Sequence, residues 1–249
     1  MVFFFTCVIT LTILKYECKK VFYEAITYYP DFIVSTISNI ILFIVLFQSI
    51  NSEKITTEVY GYVLWLLTSN VLSEISIAIS TEKQLGTLQN LMVKPNSIMK
   101  ILLCKTIGWF LVNFIKIFLV LIILSFFVPF PAIYDINFLY ICIMTCVGIL
   151  GLSFLLGAFT LIYTKMASFE MILNYILLFL SGTFTKLPDF VYYTNPLSFG
   201  TKMIENLYLQ QITLQDNLLL FIISIMWFLT GYMIFRKISQ HSKSFRWTY

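Results

Sequence analysis

The chain is expected to be an all-α integral membrane protein, and three observations lead there. First, its 249 residues are 59% hydrophobic and only 11% charged, with a mean hydropathy of +0.90. Soluble domains carry about 25% charged residues, so too little polar surface exists here to coat a water-exposed globule. Second, six apolar runs follow one another, each near the ~20 residues a helix needs to cross hydrocarbon. Third, the basic residues are unevenly shared between the two sets of loops. One side carries Lys15, Lys19, Lys20, Lys83, Lys94, Lys100, Lys105, Lys165, Arg236, Lys237, Lys243 and Arg246, and the other only Lys54, Lys186 and Lys202. Positive charge marks the cytoplasmic side of a cell membrane, which puts both termini in the cytoplasm.

In chain order, Met1–Leu14 is apolar but lacks a basic start and a small-residue cleavage site, so it does not read as a signal peptide. It reads as a retained lead-in or as the product of an upstream start codon. Residues 11–29 read as an amphipathic interfacial helix. Leu14, Cys18, Val21, Phe22 and Ala25 share one side, and Lys15, Lys19, Lys20 and Glu24 lie mostly on the other. Tyr23, Tyr28 and Tyr29 suit headgroup depth, and Pro30 ends the helix. The six spans are expected at 31–47, 60–80, 105–128, 137–163, 169–184 and 217–235, the fifth being short. The tail after Arg236 is too short to fold alone.

Several chemistries are poorly supported. The cysteines, Cys7, Cys18, Cys104, Cys142 and Cys146, form no C-x-x-C pair and are expected to be free thiols. The single histidine, His241, lies in the tail without a carboxylate or Cys nearby. An intramembrane metalloprotease would need His ligands, and an aspartyl type would need paired acids where Glu74 stands alone. No G-x-x-x-x-G-K-[ST] stretch is present, so the chain has no P-loop for ATP.

Two polar patches carry the functional signal. The first is Thr81–Lys105. Thr81 and Gln84 match a T-x-x-Q capping box, which predicts a new helix over 82–92. Leu85, Leu88 and Met92 give it an apolar stripe, and Pro95 ends it. By pattern alone it is either a surface helix lying on headgroups or a contact element. Its residues Glu82, Gly86, Thr87, Leu88, Leu91, Pro95 and Lys105 resemble the E-x-x-x-G-T-L-x-x-L-x-x-x-P stretch, with its trailing lysine, of ABC-2 type permeases. These are membrane subunits of ATP-binding-cassette transporters. The second patch is Ser181–Leu207, unusually apolar for an outer loop. It is either a loop resting on the outer leaflet or a re-entrant hairpin over about 185–207, a shape tolerated only where protein covers its backbone. Ser181, Gly182, Leu187, Pro188, Asn195, Pro196 and Leu197 resemble the S-G…L-P…N-P-L pattern of the same family.

Within the spans, Ser69, Ser73, Ser76 and Ser80 form a polar face on span two, with Asn70 and Glu74 alongside. Such a face turns toward other helices or a water-filled path. Lys116 lies ~16 Å into span three and Glu74 ~9 Å into span two by helix rise, so an ion pair between them is expected. That pair serves either structure or transport. Gly148, Gly151, Ser153 and Gly157 in span four predict a close helix contact.

The resemblance implies a permease that borrows its motor. Two permease copies, of this chain or a homologous one, would join two cytoplasmic ABC ATPase subunits that hold ATP and Mg. This chain itself would be no enzyme and hold no cofactor or metal. Glu82, Gly86 and Thr87 would meet the ATPase, and Gly182, Pro188, Asn195 and Pro196 would shape the re-entrant segment. Membrane lipid is an expected partner and nucleic acid is not. The cargo would be a drug, a peptide or bacteriocin, or another amphiphile. Polysaccharide or teichoic-acid export is the alternative within the family. An intramembrane enzyme, an ion-coupled carrier and a structural membrane subunit are readings from other classes.

Overall fold

The computed structural model describes residues 2–47, 55–88, 98–125, 135–163, 166–182, 187–209 and 211–242. Among these the chain forms α-helices and no strands: α1 Val2–Thr27, α2 Tyr29–Phe47, α3 Ile55–Gln84, α4 Ile98–Ser125, α5 Ile136–Ile162, α6 Ala167–Leu180, α7 Asp189–Thr194, α8 Pro196–Tyr208 and α9 Leu214–Ser242. Within the described residues, four segments are long and apolar enough to cross a membrane: Val59–Gln84, Ile98–Ile123, Ile136–Ile162 and Leu214–Gln240. The apolar stretches expected to be spans one and five are shorter, Ile33–Val45 and Ser168–Leu180.

Helix α5 is the hub, packed between α3, α8 and α9. Its glycines explain why. A Cβ on Gly151 would collide with the carbonyl group of Trp227, and one on Gly231 with the backbone of Gly151. The α5 and α9 backbones therefore touch, as the small-residue pattern predicts. A Cβ on Gly148 would stand 2.6 Å from Pro196, and one on Gly157 2.5 Å from Ile75. Three faces of one helix are thus cleared for three neighbours.

Helix α1 starts at Val2, so the apolar lead-in and the amphipathic stretch make one helix rather than two segments. It lies against α4 where Val21 meets Gly108, with Val21 fully buried and Lys15, Lys19 and Lys20 exposed. Phe22, expected on the packed side, is 56% exposed. Pro30 sits in the first turn of α2 instead of ending α1, because a proline lacks only a donor that a first turn leaves unused.

The helix starts follow local chemistry. The Asp135 carboxylate accepts from Asn137 N at 2.9 Å and caps α5. Thr213 and Asp216 cap α9 reciprocally, Asp216 N donating to Thr213 Oγ1 and Thr213 N to Asp216 Oδ2. Cys142 and Cys146 are buried on α5, and with Cys18 and Cys104 they are free thiols among the described residues.

Candidate functional site

The first candidate site lies at the end of α3, and there the structure overturns the expected capping box. Helix α3 runs unbroken through Thr81 and stops at Gln84. The Thr81 hydroxyl donates back to Ile77 O at 2.8 Å, so it serves the helix interior and caps nothing. Gly86 ends the helix with φ +68°. Gly86 N donates to Lys83 O and Thr87 N to Glu82 O, each at 3.0 Å. These 5→2 and 6→1 bonds make a Schellman turn, which needs a left-handed residue just past the helix. Glu82 is thus in a last turn, not a first one. The Thr87 hydroxyl donates to its carboxylate, which offsets the unfavourable helix-end dipole.

The expected apolar stripe divides accordingly. Leu88 is buried with Ile75, Met99, Leu102 and Phe235, whereas Leu85 is 69% exposed. Met92 and the rest of the expected 82–92 helix beyond Leu88 lie outside the described residues. A Cβ on Gly86 would meet nothing within 4 Å. Glu82, Gly86 and Thr87 therefore do come together, as an open turn rather than on one face of a helix.

Lys83 is the residue that sequence reasoning missed. Counted among the basic loop residues, it is instead 9% exposed and points inward. Its Nζ donates to Thr160 O at 2.6 Å and to Leu161 O at 2.8 Å. Those carbonyls belong to the last turn of α5, where no helical N–H follows to bond them. A cation there also meets the negative end of the helix dipole.

Beside it runs a polar seam between α3 and α6. Ser76 Oγ donates to Glu170 Oε1 and lies 2.5 Å from Thr160 Oγ1. Asn174 Nδ2 donates to Ser73 Oγ at 3.3 Å, and Trp65 Nε1 to Asn174 O at 3.0 Å. The polar face of α3 thus meets Glu170 and Asn174, spaced i, i+4 on α6. That spacing in an otherwise apolar segment was the available signal.

The expected Glu74–Lys116 pair is not formed. Lys116 Nζ donates to Ser35 Oγ of α2. The helix ends explain the difference. Glu74 lies ten residues before Gln84 and Lys116 eighteen after Ile98, so by rise the two stand ~12 Å apart along the bundle axis.

The second candidate site joins α6, α7 and α8. Gly182 turns the chain after α6 with φ +74°. Pro188 precedes α7, and Asn195 is extended, its side chain accepting from Leu197 N at 3.1 Å to cap α8 with Pro196 in the first turn. Pro196 presses on Gly148, ~18 Å of helix rise from Ile136. Helix α8 then returns until the Tyr208 ring centre lies 6.4 Å from that of Tyr60, whose ring is tilted against Phe138. Residues 196–201 are all buried. Ser198 Oγ donates to Leu180 O at 2.5 Å and Trp227 Nε1 to Thr194 O at 2.7 Å, so α6 and α9 both hold the junction. Lys202 bridges Asp189 at 3.7 Å and lies over the Tyr192 and Tyr193 rings. Under Asn195 a cavity of about 480 Å³ opens between α5, α6 and Trp227, lined by side chains such as Leu152, Phe159, Leu173 and Leu180. Residues 183–186 lie outside the described residues.

No curated protein matches the chain. The ABC-2 type transporter family profile matches residues 9–209, which takes in α1 through α8 and both candidate sites. With its several membrane-length apolar helices, the chain is a multi-pass membrane protein, and it belongs to the ABC-2 type transporter family as a permease.

Proposed function

We propose that this chain is the permease subunit of an ABC exporter for a drug, peptide or other amphiphilic cargo. In this reading it crosses the cell membrane six times with both termini inside, the short apolar stretches of α2 and α6 completing the count. Helix α1 serves as the interfacial element, and α7–Asn195–α8 is a re-entrant hairpin entering from outside. The depth of Pro196 against Gly148 supports the hairpin, because a loop on the outer leaflet would not reach that far along α5. Two copies, or one copy with a homologous chain, pair with two cytoplasmic ATPases that carry ATP and Mg.

The observation that carries the reading is the open Schellman turn at the lysine-rich end. Gly86 leaves room for a foreign surface to approach the backbone, and the Glu82 carboxylate and Thr87 hydroxyl stand beside it. The cavity under Asn195 supports the cargo class. Its lining is nearly all aliphatic and aromatic, and its volume is roughly three times the ~150 Å³ that holds one benzene ring. That suits a hydrocarbon moiety better than a glycan.

An ABC ATPase gene is expected beside this one, and the test is co-expression with that ATPase. The ATPase should co-purify, and inverted vesicles should take up a fluorescent amphiphilic peptide only with ATP and Mg. In intact cells an impermeant thiol reagent should label Asp189→Cys and spare Leu85→Cys, in a background free of native cysteines. Labelling of Leu85→Cys from outside would overturn the orientation, and ATP-independent uptake would overturn the exporter assignment.

A further inference from the structure

Lys83 does two jobs with two ends. Its carbonyl accepts the Gly86 N–H that closes the Schellman turn, and its buried ammonium holds Thr160 O and Leu161 O at the end of α5. Leu88, just past the turn, is packed with Phe235 of α9. Helices α5 and α9 are in backbone contact at Gly151 and Gly231. The turn is therefore fastened to α5 by a charge-assisted pair of hydrogen bonds and to α9 by an apolar plug. Helix α6 is tied elsewhere. Its polar links, Glu170 to Ser76 and Asn174 to Ser73, reach α3 about two to three helical turns before Glu82.

We propose that Lys83 is the positioning residue that makes the 82–87 turn, α5 and α9 one mechanical body, so that a push on the turn moves that body against α6. This rests on the exporter reading for the source of the push. The alternative is that Lys83 only helps α3 to fold and that motion passes along α3 alone.

Double electron–electron resonance on the full-length chain in lipid vesicles tests this, with labelled copies diluted by unlabelled ones. One label pair is Leu85→Cys with Leu214→Cys, at the turn and the far end of α9. The other is Leu85→Cys with Phe179→Cys, at the turn and the far end of α6. All three positions are exposed. In the permease alone, the 85–214 distribution should be narrow, broaden with Lys83→Met and narrow again with Lys83→Arg. With the partner ATPase and a non-hydrolysable ATP analogue, the 85–179 distance should shift while 85–214 holds. With Lys83→Met both distances should change. If Lys83→Met does not insert, Lys83→Gln is used, which keeps N–H donors and loses the charge. An unchanged 85–214 distribution in these variants would overturn the proposal, as would a wild-type 85–214 distance that moves as much as 85–179. Failure of the wild-type complex to respond to nucleotide would instead count against the exporter reading, and the permease-alone arm would still decide the role of Lys83.

Discussion

The bundle holds two kinds of helix contact. Between α5 and α9 the contact is glycine on glycine, with the two backbones touching at Gly151 and Gly231. Between α3 and α6 the contact is made by side-chain hydrogen bonds, Ser76 with Glu170 and Ser73 with Asn174. A backbone contact has one geometry, because any slide drives a carbonyl into a Cα. A seam with serine hydroxyls has several, because each hydroxyl both donates and accepts. The α5–α9 contact thus has one arrangement and the α3–α6 seam several, and the proposed transport cycle would use that difference.

The largest expected effect lies at the tight contact. Gly151→Val should destabilise the protein by about 3 kcal/mol or more, as overpacking does where no flexible side chain can give way. Thermal unfolding in detergent, read by size-exclusion fluorescence, measures it. A near-normal unfolding temperature would show that the helices can separate and would end the contrast. Next comes the turn. Gly86→Leu should cost roughly 1–2 kcal/mol because leucine is strained at a positive φ. Gly86→Asn should be milder, since asparagine adopts that conformation more readily. Equal stability of the two variants would mean that the turn is not held left-handed. The leucine variant is therefore not a clean probe of partner contact, although helix propensity alone suggests that it would be harmless.

The smallest effects belong to the polar seam. A double-mutant cycle on Ser73→Ala and Asn174→Ala should give a coupling near ~0.6 kcal/mol, the usual size for a hydrogen bond between membrane helices. Glu170→Gln should leave folding nearly intact while changing the rate of ATP-driven uptake. A Glu170→Gln protein with unchanged uptake would make the seam passive packing. Alongside these, Glu74→Gln and Lys116→Met should be additive, whereas Lys116→Met and Ser35→Ala should couple, which sharpens the reassignment of the Lys116 partner.

What the sequence made legible was what repeats along a helix. The apolar runs and the close helix contacts at Gly148, Gly151 and Gly157 follow from spacing and from residue size. What it hid depended on which way a segment was entered. Thr81 and Gln84 match a capping box only if the chain before Thr81 is not helical, yet α3 already occupies that position. The same misplacement of helix ends set Glu74 and Lys116 too close in depth. Lys83 was hidden differently. A lysine near a span end counts as a solvated charge unless an unfilled helix C-terminus lies within reach of its stem, and that neighbour is 77 residues away in the chain. Glu170 and Asn174 were in view, but they gain meaning only once α3 is known to lie opposite.

The central claim is that the Gly86 turn receives the ATPase. A photo-crosslinking amino acid placed at Leu85, which is 69% exposed beside that turn, tests it most directly in cells that also express the partner ATPase. Irradiation should give an adduct between the two chains at position 85, and none from the same residue at Tyr175, which is 55% exposed on α6. An ATPase that co-purifies yet crosslinks at 175 and never at 85 would contradict the account.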